Sequence, residues 1–136
     1  MKKTTDQIVT VHRLISKAKL GKMEDAEKFA LIKIARQFKK VAVDFDDFLK
    51  DVQERLKPEG FDAIVSKIQA GKELTPEESA KHNKYQKDIT ECLNDEVEKV
   101  NVLDFTPLSE EALGRFFASN DFSLSEILII SETIGG

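Results

Sequence analysis

Four aspartates in one short stretch are the residues best placed to do chemistry. The stretch is KKVAVDFDDFLKD, residues 39–51, where an apolar-leaning run leads into Asp-x-Asp-Asp. If that run were a buried strand, it would present Asp44 as a carboxylate nucleophile, with Asp46 two residues further on to assist phosphoryl transfer. If the run is a helix, the carboxylates lie on its solvent-exposed face. The spacing of the neighbouring apolar residues decides between the two.

The apolar residues around these aspartates recur with a helical period. They alternate spacings of four and three without a slip: Leu31, Ala35, Phe38, Ala42, Phe45, Leu49, Val52 and Leu56. On such a helix Asp44, Asp47 and Asp51 fall on the opposite, outer face, since residues three and four apart share a side. We therefore predict one long helix over about 23–57, ended by Pro58 and Gly60, and no catalytic strand.

Two enzyme families carry similar aspartate patterns. Asp44-x-Asp46 resembles the first motif of the haloacid dehalogenase phosphatases, but the motif's Thr is replaced by Phe48 and no later acidic pair completes a magnesium site. Asp46-Asp47-x-x-x-Asp51 resembles the aspartate-rich helical motif of prenyl synthases, which need a second such motif. We predict that the chain is not an enzyme and has no catalytic residues.

Metal-ligating and nucleophilic residues are sparse. His12 and His82 are seventy positions apart, and Glu78 with His82 supplies only two ligands, which do not make a zinc site. Cys92 lies on the apolar face of its predicted helix, where a cysteine acts as a small core residue. We predict no metal, no cofactor and no small-molecule substrate.

Composition indicates one domain of a helix-rich protein. The 136 residues are 34% charged and 40% hydrophobic, without tryptophan. No apolar run approaches 18 residues, so we expect no membrane segment, and the N-terminus lacks the continuous apolar stretch of a signal peptide. A single cysteine is compatible with a reducing compartment. We therefore expect a cytoplasmic protein, or a virion-associated one if the chain is phage-encoded.

The remaining elements follow from capping signals. Thr4 with Gln7 predicts a first helix over about 5–20, and Thr75-Pro76 with Glu78 predicts a second arm over about 76–94. Valine-rich residues 97–105 predict an extended segment, followed by helices over about 109–119 and 124–134. Ser123 with Glu126 forms a capping box that begins the second of these helices. The predicted fold is all-α, or mainly α with one short β segment, and is built on a long antiparallel helical hairpin.

The last predicted helix is apolar nearly all round, which indicates an interface. Its large apolar residues cannot all face one side. We predict self-association, or binding of another protein, through these candidate interface residues: Leu124, Ile127, Leu128, Ile129, Ile130 and Ile134. Gly135 and Gly136 are interpreted as a helix stop followed by a frayed end.

Charge is distributed unevenly along the chain. The net charge is +7 over residues 1–40, −3 over 41–90 and −8 over 91–136, which sums to −4. A basic N-terminal third could bind phosphate backbone, so a small nucleic-acid-associated regulatory protein is the alternative function. The cations concerned are Lys17, Lys19, Lys22, Lys28, Lys33, Arg36, Lys39 and Lys40. The acidic total charge and the few arginines favour a protein partner.

Several segments together give the chain a resemblance to known proteins. They are LIKIARQFKK, LNDEVEKVNVLDF, and the pair LSEEALGRFF and FSLSEILII. In this arrangement the chain resembles small uncharacterised helical proteins encoded by tailed phages and prophages. The resemblance implies an accessory, assembly or virion-associated protein, and it brings no catalytic residues with it.

Overall fold

The structure is a computed structural model that describes residues 1–136. Eight elements follow one another along the chain: β1 (Lys2–Thr4), α1 (Thr5–Ser16), α2 (Asp25–Leu56), α3 (Phe61–Gln69), α4 (Pro76–Glu98), β2 (Val100–Val102), α5 (Glu110–Ala118) and α6 (Leu124–Ile134). The prediction of a mainly α fold is confirmed. No helix is both long and apolar enough to cross a membrane.

Capping side chains begin the helices at the residues that the sequence indicated. The Thr4 hydroxyl accepts from the Gln7 amide at 3.2 Å, and the Gln7 side chain accepts from the Thr4 amide at 3.0 Å. Ser123 and Glu126 make the same reciprocal pair at the start of α6. These contacts satisfy backbone N–H groups that a helix start leaves without partners.

Helix α2 buries the predicted stripe and exposes the opposite side. Leu31, Phe38, Ala42, Phe45 and Val52 are buried, whereas the aspartates of residues 44–51 are exposed. The alternation of four and three therefore predicted the correct register. A catalytic strand would need Asp44 in a sheet, and Asp44 lies on a helix.

The first helix is shorter than predicted. It ends at Ser16 rather than near residue 20, because the following residues bond to the loop after α5 instead of continuing the helix. The Lys19 amide donates to the Asn120 side-chain oxygen at 2.7 Å, and the Asn120 side chain donates back to the Lys19 carbonyl at 2.7 Å. This bonding comes from residues about a hundred positions away, so local sequence could not indicate it.

The extended segment is also shorter than the predicted 97–105. Helix α4 continues to Glu98, beyond the predicted end at 94, and β2 spans Val100–Val102 alone. Its partner is β1, which pairs with it antiparallel, Lys3 opposite Asn101. The predicted helix over 109–119 spans Glu110–Ala118, with Ser109 as its cap.

Two compact units divide the chain, and the predicted single domain over 1–136 spans both of them. Unit 1 consists of Met1–Phe45 with Val97–Gly136, and unit 2 is Asp46–Glu96. Unit 1 holds the main core, in which Phe38 and Phe116 are fully buried. The Phe38 and Phe105 rings meet edge to face with centroids 5.7 Å apart, a favoured aromatic geometry.

Unit 2 buries far fewer side chains. Val52 and Ile64 are its only buried hydrophobic residues, and α4 has none. A hydroxyl–carbonyl contact of 3.4 Å joins Tyr85 on α4 to Gln53 in the last turns of α2. Gly60 and Gly71, on either side of α3, have positive φ angles of 78° and 70°, which glycine adopts without steric cost.

The two terminal residues, interpreted from the sequence as a helix stop and a frayed end, turn back towards Leu108. The Leu108 amide donates to the Ile134 carbonyl at 2.9 Å, and the Gly136 amide donates to the Leu108 carbonyl at 3.3 Å. A Cβ atom on Gly135 would overlap the Ser131 carbonyl oxygen. Gly135 therefore permits the close turn that returns the chain to Leu108.

Candidate functional site

The six residues predicted as an interface fall into two groups on α6. Ile130 and Ile134 are fully buried in the core of unit 1, and Ile127 and Ile129 are half-buried. Leu124 is 73% exposed and Leu128 is 52% exposed. The exposed apolar surface of α6 is therefore formed by the two leucines, and the chain itself covers Ile130 and Ile134.

Helix α6 is fixed in this orientation by its cap and by its inner side. The reciprocal Ser123–Glu126 pair sets its first turn, and the buried residues Ile130, Thr133 and Ile134 occupy the side that faces the core. Because side chains three and four apart share a side, burying these residues turns Leu124 and Leu128 outward. The sequence showed the excess of apolar residues but not which of them the core would take.

Acidic groups accompany the exposed leucines. Glu132 lies four residues beyond Leu128 and is exposed, and Asp121 lies three residues before Leu124 and is exposed too. Residues 116–136 contain no lysine or arginine. Lys3 donates to the Glu132 backbone carbonyl at 2.9 Å and leaves the carboxylate free of that bond. We call Asp121, Leu124, Leu128 and Glu132 the α6 outer face.

A second exposed face lies on the unit 1 part of α2. Phe29 is 55% exposed, Val43 45% and Ile32 39%. Four exposed cations share this side of the helix: Lys33, Arg36, Lys39 and Lys40. We call these seven residues the α2 outer face. The sequence indicated the cations, but the three apolar residues were missed because the inward stripe gave no role to hydrophobic residues on the other side.

Two depressions accompany the α2 outer face. One of about 490 Å³ lies between Phe29, Lys33 and residues 104–106. The Lys33 ammonium sits 4.7 Å from the centre of the Phe29 ring, and Gln37 bonds the Asp104 backbone beside this depression. The second, of about 630 Å³, lies over Arg36, Lys40 and Val43. Both therefore combine an apolar side chain with cations.

An ion pair ties the start of α2 to α5. The Arg115 guanidinium donates two parallel hydrogen bonds to the Glu27 carboxylate, and the one from Nε to Oε1 is 2.8 Å long. Glu27 also accepts from the Glu24 amide at 2.9 Å. These bonds, that from Arg115 above all, lower the pKa of Glu27 to about 2. Such bidentate geometry fixes orientation as well as charge.

The aspartates of residues 44–51 do not converge on a site. Asp44, Asp46, Asp47 and Asp51 are all exposed on α2. No group of three or more His, Cys, Asp or Glu side chains is arranged to hold a metal ion. Their positions agree with the interpretation of these carboxylates as part of the solvent-exposed face of a helix.

The two histidines and the cysteine are all partly buried on helices. His12 is half-buried on α1, while His82 and Cys92 are half-buried on α4. The Nδ1 atom of His82 is buried without a hydrogen-bond partner. The partial burial of Cys92 agrees with its interpretation as a small core residue.

Unit 2 carries its own shallow depression, of about 520 Å³. Its wall is an aromatic pair, Phe61 and Tyr85, with ring centres 4.7 Å apart. The Lys57 ammonium lies 5.6 Å from the Phe61 ring centre and bonds the Glu54 carboxylate at 3.1 Å. That hydrogen bond raises the pKa of Lys57. The charges of Lys57 and Glu54 at this depression are therefore already paired.

Comparison of the chain with protein-family models, with curated proteins and with solved structures finds no match. The resemblance to helical proteins of tailed phages stays an expectation from the sequence. Function is therefore inferred from the exposed helix faces described above.

Proposed function

We propose that this chain acts by binding a protein partner through the α6 outer face, without catalysing a reaction. The observation that carries the proposal is the exposure of Leu124 and Leu128 on a helix whose inner side is fully buried. Single exposed apolar residues are ordinary on protein surfaces, whereas contiguous apolar patches are typical of protein contact sites. Leu124 and Leu128 are four residues apart on one helix face and can form the centre of such a patch.

The biological setting we propose is that of an accessory or virion-associated protein of a tailed phage or prophage. Support for it comes from the segments LIKIARQFKK and FSLSEILII and their order along the chain. A small helical protein with an outward leucine pair is suited to such a role, since helix faces dock into apolar grooves through residues spaced three and four apart.

Site-specific photo-crosslinking tests the proposal in the cell that expresses the protein. Benzoylphenylalanine replaces Leu128 in one variant and exposed Lys72, in the loop after α3, in a matched control. We expect one dominant protein adduct from position 128 and none of that mass from position 72. The same diffuse pattern from both positions would contradict a binding role for the α6 outer face.

A nucleic-acid-associated role is the second candidate, and one observation favours it. Lys33, Arg36, Lys39 and Lys40 project from one exposed side of α2. Cations in such a row can neutralise successive phosphates, and binding then weakens steeply as salt increases. Retention on DNA or RNA at low salt, lost with Arg36→Glu and kept with Lys72→Glu, would support this role.

A further inference from the structure

We propose that the α2 outer face of one chain receives the α6 outer face of a second copy. This inference rests on the proposed function, because it names the partner of the same α6 surface. Both faces belong to unit 1. The occupant is identified by charge complementarity: the α2 outer face holds four cations, and the α6 outer face holds two acids. Arg13 and Lys17 already line the depression beside Asp121, so Glu132 is the acid that the α2 cations would pair with.

The apolar residues separate this inference from nucleic-acid binding. Phe29, Ile32 and Val43 are exposed among the cations of α2. A phosphate backbone would use the cations and leave Ile32 and Val43 in water. A protein helix that presents leucines between acids would cover both kinds of side chain, since interfaces combine an apolar centre with a polar rim.

The spacings on the two helices correspond. On α6 Leu124, Leu128 and Glu132 are four residues apart, and on α2 Phe29, Ile32 and Arg36 are three and four apart. At 1.5 Å per residue each step is about 4.5–6 Å. When the leucines of one chain lie over Phe29 and Ile32 of the other, Glu132 comes opposite Arg36. The depression of about 490 Å³ beside Phe29 gives room for a leucine side chain.

Two acids border the α2 outer face: Asp104 lines the depression beside Phe29, and Asp44 lies beside Val43 and Lys40. Asp44 is at the end away from Phe29, so the pairing of Glu132 with Arg36 keeps the Glu132 and Asp44 carboxylates apart. Two such contacts related by a two-fold axis would use each face once in each chain. That arrangement closes as a dimer, whereas an unclosed head-to-tail contact would extend into a chain of copies.

Reversing one charge on each face provides the test. Arg36→Glu and Glu132→Arg each place like charges opposite each other in a homodimer, and we expect each to weaken dimerisation about tenfold. The two variants are then mixed in equal amounts. In one contact of the mixed dimer, the carboxylate introduced at position 36 of one chain lies opposite the guanidinium introduced at position 132 of the other, so the ion pair is restored with its charges exchanged. The second contact keeps the native pair, so the mixture should recover a dimer of wild-type affinity. Lys72→Glu is the control for charge alone.

Sedimentation equilibrium of the wild type, the two variants and their mixture measures these affinities, and circular dichroism checks that each variant is folded. Both substitutions are at exposed positions, so the fold should be unaffected. Loss of dimer in each variant with recovery in the mixture supports the inference. Wild-type protein that stays monomeric at its highest soluble concentration overturns it, as does a dimer that Arg36→Glu leaves unchanged.

The outcomes distinguish this inference from the proposed function. A monomer that is still crosslinked to a different protein from position 128 overturns the second copy as partner and keeps the binding role. A monomer with no specific adduct overturns both. Retention on nucleic acid that depends on Arg36, in a protein that stays monomeric, overturns the second copy and assigns the α2 outer face to phosphate.

Discussion

Glu27 shows how one residue can connect distant parts of the sequence. It belongs to the first turn of α2, and its partner Arg115 is 88 positions further along the chain on α5. The carboxylate also bonds the Glu24 amide, so it serves the helix start and the ion pair together. Acidic residues are favoured in the first helical turn because of the helix dipole, and Arg115 adds a cation at the same point.

The ion pair predicts an acid-dependent contribution to stability. The pKa of Glu27 is lowered to about 2 in the folded protein, against about 4.3 for an unperturbed Glu in the unfolded chain. Its contribution is therefore fully present above about pH 5 and is lost as the pH falls from there to about 2. Glu27→Gln should lower the unfolding midpoint in urea at pH 7.

The control for this prediction is Glu59→Gln, at an exposed position in the loop before α3. Its unfolding midpoint should match that of the wild type at both ends of the pH range. The difference between Glu27→Gln and wild type should shrink towards zero near pH 2. A difference that stays constant from about pH 7 to about pH 2 would mean that Glu27 acts through packing and not through its charge.

Helix α2 is the element in which sequence and structure agree most fully. Its period, its outward aspartates and its end before Pro58 all follow from local pattern, because burial on one side imposes the spacing of apolar residues. The limits of prediction lie elsewhere. Lys2–Thr4 forms a strand because residues 100–102 pair with it, and nothing in three residues indicates a partner so far along the chain.

Non-local packing also explains the other differences between sequence and structure. Capping boxes at Thr4 and Ser123 were readable because both partners are three residues apart. The early end of α1 depends on Asn120, and the backbone hydrogen bond of Gly136 is made with Leu108. Which residues of α6 are exposed depends on which side of the helix packs against the core of unit 1, and the local sequence does not indicate this packing.

The register of α2 predicts unequal effects for two neighbouring substitutions. Phe45 is buried and Asp47 is exposed. Phe45→Ala should reduce the free energy of unfolding by about 3–5 kcal/mol, through lost burial and the cavity it leaves. Asp47→Ala should change it by less than about 0.5 kcal/mol. Chemical denaturation of both variants makes the comparison, and equal or reversed effects would contradict this register.

At the scale of the whole molecule, buried side chains are concentrated in one unit. Eighteen hydrophobic residues are buried, and sixteen of them lie in unit 1 because Val52 and Ile64 are the two in unit 2. Hydrophobic burial is the main favourable term in folding. Unit 2 therefore has much less of it to offset the conformational entropy of its helices.

This imbalance predicts a difference in local opening. Amides in α3 and in residues 76–96 of α4 should exchange with solvent deuterium faster than those of α1 and the inner side of α6, because regions with few buried contacts open at lower free energy. Hydrogen exchange followed by mass spectrometry measures this. Equal protection in both units would show that Asp46–Glu96 is stabilised by more than its own buried side chains.

The pairing of β1 with β2 has a consequence for how the protein is made. Lys2–Thr4 leave the ribosome before β2 does, and they can pair only after Val102 has emerged. The intervening 46–96 segment is continuous, so its contacts are complete earlier. At about 5–20 residues per second its 51 residues take roughly 3–10 s to synthesise. During that interval the apolar sides of α1 and of the first half of α2 stay exposed, because residues 97–136, which complete the core of unit 1, have not yet been synthesised.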